Sequence, residues 1–265
     1  MKEKVKTRYP QIDIIRGLCL ISMIIYHAIW DMVYIYEVNW MWYQSRWAFV
    51  WQQSICWTFI LLAGFCIPLS SGPVKHGVTV FGGGVLVTVV TLLVMPEQPI
   101  IFGVLTLLGT CMILVGSLNR ILRKRLTRMY AVCALIVNFL LFAFTYSVND
   151  RFVGFFGVKI ANLPDILYRN LFTTFWGLTE QGFFSTDYFS VIPWIFLFLI
   201  GYFAYFVLMG TDTDVCVQNP AKKWLQKDNC RAAAWMGRHS LFIYLIHQPV
   251  IYIVLWVVFR LHNAS

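Results

Sequence analysis

Residues 188–211 read YFSVIPWIFLFLIGYFAYFVLMGT, a stretch without one Asp, Glu, Lys or Arg. Crossing the hydrocarbon core of a bilayer takes about 20 predominantly apolar residues in a helix. A helix on the surface of a soluble protein keeps one polar face instead. Five more runs lack those four residue types: 47–74, 76–96, 98–119, 129–149 and 239–259, each at least 21 residues long. The segment PQIDIIRGLCLISMIIYHAIWDM at 10–32 is equally apolar apart from Asp13, Arg16, His27 and Asp31. The chain as a whole is 59% hydrophobic and 12% charged over 265 residues, against about 25% charged in soluble domains. The expected fold is all-α: a polytopic membrane helix bundle of about seven spans.

The spans are expected near 12–36, 50–69, 77–95, 100–118, 129–148, 188–209 and 239–259. Turn chemistry separates them at SSGP (70–73), at MPEQP (95–99) and at Gly210 followed by TDTD. Two longer connections are left, 149–187 and 210–238. Within the first, LYRNLFTTFWGLT (167–179) is aromatic but holds only ten consecutive uncharged residues, a length that suits an interfacial or re-entrant helix. No internal repeat or soluble domain is visible, so one integral-membrane domain over 1–265 is expected. The leader MKEKVKTRYP is basic, but the apolar run behind it carries Arg16, His27 and Asp31 and lacks a small-x-small cleavage site. It reads as a permanent first span.

The net charge is +9, and its distribution sets an orientation. With the N-terminus cytoplasmic and seven alternating spans, fifteen Lys and Arg fall on the inner side and five on the outer, with Arg16 at the inner edge of the first span. That is a strong positive-inside bias, and it explains the basicity without a nucleic-acid partner. The expected surrounding partner is the lipid bilayer. The seven cysteines form no CxxC pair and read as small apolar filler.

Chemistry concentrates in the first span. Ionisable side chains at membrane depth are costly and mark functional sites. Arg16 and His27 are eleven residues apart, a rotation of about 1,100° or three turns and 20°, so they share a face. Asp31 lies one turn beyond His27 on that face. A neighbouring carboxylate can hold one ring nitrogen and leave the other as a base. A structural histidine bonded to a neighbouring helix is the plainer alternative. His247, in the sequence HQP of the last span, is a second intramembrane histidine. Pro249 frees a backbone carbonyl near Leu245, which His247 or Gln248 can satisfy. Arg120, Arg123, Lys124 and Arg125, with Lys75 and His76 before the third span, could dock phosphates, although topology alone also calls for cations there. Gly82, Gly83 and Gly84 lack the Lys-Ser/Thr of a phosphate loop and fit close helix packing. On the outer side Asp187, Tyr188 and Trp194 supply a carboxylate and aromatic faces for a sugar, or else a helix cap and interfacial anchors. No metal is called for.

Several of these segments, taken in order, resemble the heparan-α-glucosaminide N-acetyltransferase catalytic-domain family, within the wider transmembrane acyltransferases. They are IDIIRGLCLISMIIYHAIWDM (12–32), FILLAGFCIPL (59–69), FGVLTLLG (102–109), STDYFSVIPWIFLFLIGYF (185–203) and GRHSLFIYLIHQPV (237–250). The resemblance spans essentially the whole chain in its small bacterial form, which adds the expectation of a bacterial cytoplasmic (inner) membrane. It implies transfer of an acyl group, acetyl above all, from cytoplasmic acetyl-CoA to a glycan amine or hydroxyl at the outer face. By position His27 and Arg16 match the histidine and arginine of the pair shared by such enzymes. Together with the spacing on the helix, His27 is expected to be the general base or transient acyl carrier, Asp31 to orient it, and Arg16 to neutralise charge on the donor side or brace the helix. Trp30 and His247 are placed near the acceptor. In the lysosomal branch the residue at the His27 spacing is an asparagine, and the active histidine follows before Trp-Asn; His27, Trp30 and Asp31 align with either pattern. Relatives carry a histidine where this chain has Thr106. A homodimer is compatible with the resemblance. The rival reading is non-enzymatic, a small-solute transporter or a lipid- or glycan-binding membrane subunit. It lacks support from a pseudo-symmetric second half or paired broken helices.

Overall fold

The computed structural model describes residues 9–210 and 220–262. Along the chain run α1 (Pro10–Tyr34), α2 (Arg46–Cys66), α3 (Pro73–Val94), α4 (Val104–Arg125) and α5 (Arg128–Thr145). Then come β1 (Phe152–Phe155), β2 (Val158–Asn162), α6 (Leu171–Trp176) and α7 (Val191–Met209). The last elements are α8 (Pro220–Leu225), α9 (Arg231–Arg238) and α10 (Ser240–His262). Among the described residues, seven helices are long and apolar enough to cross a membrane: α1 to α5, α7 and α10. The chain is an integral membrane protein of the expected all-α class. Apolar side chains such as Leu86, Leu93, Ile253 and Val257 stand exposed on α3 and α10. Water would penalise such surfaces, and lipid tolerates them.

The chain gathers into two compact units, Met1–Phe59 with Gln218–Ser265, and Ile60–Val217. In the first, Cys19, Leu20 and Met23 of α1 pack with Ile55 of α2 and with Ile243 and Tyr244 of α10. The amphipathic α9 lies against the start of α1, where Ile14 meets Ala233 and Ala234. This crossing is backbone to backbone. A Cβ at Gly17 would collide with the Ala233 carbonyl, and one at Gly237 with the Asp13 carbonyl, so small residues set the helix separation.

In the second unit α3 and α4 are antiparallel neighbours, with Gly77 opposite Gly109 and Ile113, and Gly116 against Pro73. Gly84 meets the backbone of Thr106, the close packing expected for that glycine run. α5 pairs with α7, and Phe142, Tyr146 and Phe189 surround Trp194. The connection 149–187 holds two features not read from the sequence. One is the antiparallel β1–β2 hairpin, which folds back along α5: the Phe156 amide donates to the Ala143 carbonyl at 3.3 Å. The other is a zipper between 99–104 and 185–189, in which the Thr186 amide donates to Pro99 and the Phe189 amide to Phe102. The apolar segment 167–179 contains the six-residue α6, opened by a reciprocal Asn170/Thr173 cap and closed by Gly177 at φ +120°, which suits glycine.

Candidate active site

The i,i+4 spacing of His27 and Asp31 puts both on the face of α1 that meets α10. From α10 come His247 and Gln248. The rings of His27 and His247 have centroids 5.0 Å apart at an interplanar angle of 58°. The Gln248 Nε2 donates to Asp31 Oδ1 at 2.8 Å, and Asp31 is fully buried. Gln248 was expected to satisfy the carbonyl freed by Pro249. The structure assigns it instead to Asp31, because a buried carboxylate costs more without a donor than a carbonyl does. That bond also means the partner of Asp31 is Gln248 rather than the His27 ring. Asp31 Oδ2 and Gln248 Oε1 are both buried without a hydrogen-bond partner.

His247 Nδ1 lies 2.5 Å from the Tyr244 carbonyl. A carbonyl only accepts, so the proton sits on Nδ1, and the neutral ring keeps Nε2 as a bare acceptor. Aromatic groups fix the surroundings. Tyr26 meets the His27 ring edge-on and packs against Tyr43 and Trp51. The Trp51 Nε1 donates to Ser22 Oγ at 2.7 Å, and the Tyr43 hydroxyl donates to the Tyr26 carbonyl at 3.4 Å. Trp30 contacts Tyr34, centroids 5.1 Å apart. Arg16 sits three turns back at the other end of α1, its Nη1 3.8 Å from Asp13 Oδ1. Arg16 is thus braced at the helix start, about 16 Å along the axis from His27.

The second unit holds the other candidates. Asp187 is a cap, but for a helix other than its own: its Oδ2 accepts from the Val104 amide at 3.3 Å, at the N-terminus of α4, where a carboxylate complements exposed amides and the helix dipole. Burial outweighs that bond and pushes its pKa up to about 6. The Tyr188 hydroxyl donates to the Thr174 carbonyl at 2.6 Å and meets Thr179 Oγ1 at 3.2 Å. Trp194 is buried. These three side chains brace the zipped segment and the α5–α7 pair. The antiparallel packing of α3 on α4 brings Lys75 and His76 to the same end of the pair as Arg120, Arg123 and Lys124. Lys75, His76, Arg120 and Lys124 are exposed and Arg123 is half-buried; the side chain of Arg125 lies outside those described. His76 Nδ1 is 3.0 Å from Ser70 Oγ.

The family model for heparan-alpha-glucosaminide N-acetyltransferase, catalytic, matches residues 8–249. The chain belongs to that family. No curated protein and no solved structure matches it. The matched segment includes both His27 and the His247-Gln248-Pro249 end of the cluster. Membership makes this a membrane acetyltransferase-type protein. The residues around His27 that sequence reasoning did not single out are Tyr26, Tyr43, Ser22 and Trp51, together with the contact of Gln248. The HQP triplet lies where α10 meets His27 and Asp31, but nothing in the sequence ties it to Asp31.

Proposed function

We propose that this acetyltransferase moves an acetyl group from acetyl-CoA, entering from the cytoplasmic face of a bacterial inner membrane, to an amine or hydroxyl of a sugar at the outer face. The observation that carries the reading is the facing pair His27 and His247, set at a membrane-spanning helix contact beside the buried Asp31–Gln248 pair. The family supplies the reaction class. His27 takes the proton from the acceptor's N–H or O–H as its lone pair attacks the thioester carbonyl. The C–S bond breaks, the thiolate of CoA leaves, and the proton passes from the imidazolium to that sulfur. His247 presents its bare Nε2 to the acceptor and holds it against His27. The amide of Gln248 and the carboxylate of Asp31 hold α1 and α10 in register, so the two rings keep their spacing. Cations at the α3–α4 end, Lys75, Arg120, Arg123 and Lys124, meet the donor's phosphates as charge-assisted partners.

The test is His27→Ala in purified protein supplied with acetyl-CoA and glucosamine. Transfer falls by at least about a hundredfold, the scale of removing a positioned base, while the melting temperature is kept. Undiminished transfer in that variant removes His27 from the reaction. Absence of transfer by the unaltered protein to any amine or hydroxyl sugar overturns the assignment.

A further inference from the structure

The connection from α1 to α2 forms a concavity of about 380 Å³ that includes Val33, Glu37, Asn39, Trp40 and Gln44. The hollow is open on one side rather than enclosed, so a sugar unit seated in it would keep part of its surface uncovered. All of its lining belongs to the unit that carries His27.

Glu37, Asn39 and Gln44 are exposed, and among the described residues their side chains enter no hydrogen bond or ion pair. Glu37 stands at φ +54°, a left-handed conformation uncommon for a residue other than glycine or asparagine and costly enough to mark a functional position. Trp40 is 37% exposed, and among the described residues no ring stacks on it and no acceptor takes its indole N–H. One carboxylate, two carboxamides and an uncovered indole face therefore line one hollow, together with the aliphatic side chains of Val33, Val38 and Met41. An interfacial anchor needs the indole alone. A carboxylate and carboxamides beside it match a ligand with several O–H or N–H donors on one side and an apolar C–H face on the other, which is a saccharide.

The base of the hollow is held firmly. The Tyr43 amide donates to the Trp40 carbonyl at 3.0 Å, and the Trp40 amide to Val38 at 2.9 Å. Tyr43 is buried, and its hydroxyl is bonded to the Tyr26 carbonyl beside His27. From Tyr43 a chain of ring contacts leads to Tyr34, Tyr26 and on to His27. Seven residues of helix separate His27 from the end of α1 at Tyr34, a rise of about 10 Å. Val33, at the near edge of the hollow, is six residues from His27, a rise of about 9 Å, and the rest of the lining follows the helix end.

We propose that the α1–α2 connection is a second acceptor subsite, which binds an internal sugar of an oligosaccharide while the terminal sugar reaches His27. Trp40 stacks on the ring face, and Glu37, Asn39 and Gln44 bond its hydroxyl or amine groups. The inference rests on the proposed acetyl transfer, and it makes the chain selective for oligosaccharides over single sugars. It carries a further requirement, that the extra affinity of a longer acceptor is lost when Trp40 is lost.

The experiment compares glucosamine with its β-1,4-linked tetramer, as acceptors and as ligands. In the unaltered protein the tetramer has the lower KM. Trp40→Ala raises the tetramer's KM by about tenfold, the scale of losing one stacked aromatic contact, and leaves the KM of glucosamine and of acetyl-CoA unchanged. Glu37→Gln, which keeps the size of the side chain, acts in the same direction. Binding of the tetramer to His27→Ala protein, measured calorimetrically, is retained and is weakened when Trp40→Ala is added. Equal effects of Trp40→Ala on both acceptors, or none on either, overturn the subsite while leaving acetyl transfer standing. Trp40-dependent tetramer binding in a protein that transfers no acetyl group keeps the subsite and overturns the transfer.

Discussion

Asp31 is fully buried and accepts its hydrogen bond from a residue 217 positions away in the chain, Gln248. Leaving a buried carboxyl without its donor costs about 1–3 kcal/mol, whereas replacing both partners with apolar groups of similar shape is close to neutral. Gln248→Leu is therefore expected to lower stability by about 1–3 kcal/mol and to reduce kcat as the two histidines lose their register. Adding Asp31→Leu restores most of the stability and none of the activity. Thermal unfolding of both single variants and the double variant measures the coupling; strictly additive losses would mean that the bond holds nothing. Half of this pair was legible in the sequence. His27 and Asp31 share a helix face by spacing alone, and an ionisable group at that depth flags itself. Gln248 had no such signal, because a neutral amide next to a proline reads as local repair of a broken turn. Which distant carboxylate it serves depends on α1 and α10 lying side by side, and no periodicity records that.

At the scale of elements the spans were legible and the connections were not. A run without charge is sufficient evidence for a spanning helix, but residues 152–162 are too short and too aromatic for alternation to reveal a hairpin. The zipper of 99–104 with 185–189 joins segments more than eighty residues apart. For that reason Asp187, which precedes α7, caps α4 instead. This cap has a consequence in pH. An unfolded aspartate titrates near about 3.9, and burial holds the folded group up to about 6. The folded state binds that proton more tightly, so the contribution to stability is fully present below about pH 4 and is lost as pH rises through about 6. Asp187→Asn keeps an oxygen for the Val104 amide and removes the titration. Relative to that variant, the unaltered protein is expected to lose melting temperature between about pH 4 and 6.5. Parallel curves for the two proteins across that range would show that Asp187 titrates as it does in the unfolded chain.

Over the whole molecule the polarity of the reaction depends on which end of each span faces the cytoplasm. Within the second unit α5 fixes a relation that holds in either orientation. Lys124 lies near the end of α4, just before α5 begins at Arg128, and Lys159 lies in the hairpin that follows α5. One spanning helix of 18 residues, about 27 Å long, separates them, so they are exposed on opposite sides of the membrane. The choice of side comes from charge. Arg120, Arg123, Lys124, Arg125 and Arg128 crowd the short link from α4 to α5, and the antiparallel α3 adds Lys75 at the same end. Such clusters stay on the cytoplasmic side. With seven alternating spans, that choice is expected to leave the hairpin after α5 on the outer side. Single cysteines replacing Lys124 and Lys159, in protein whose native cysteines are replaced by serine or alanine, test this in intact cells. A membrane-impermeant maleimide is expected to label Lys159→Cys and to reach Lys124→Cys only after the membrane is opened. The reverse pattern would move the cation cluster outside, where no cytoplasmic acetyl-CoA meets it, and would carry the donor and acceptor assignments away together. Labelling of both positions in sealed cells would instead deny that α5 crosses the membrane, against its length and the absence of charge after Arg128.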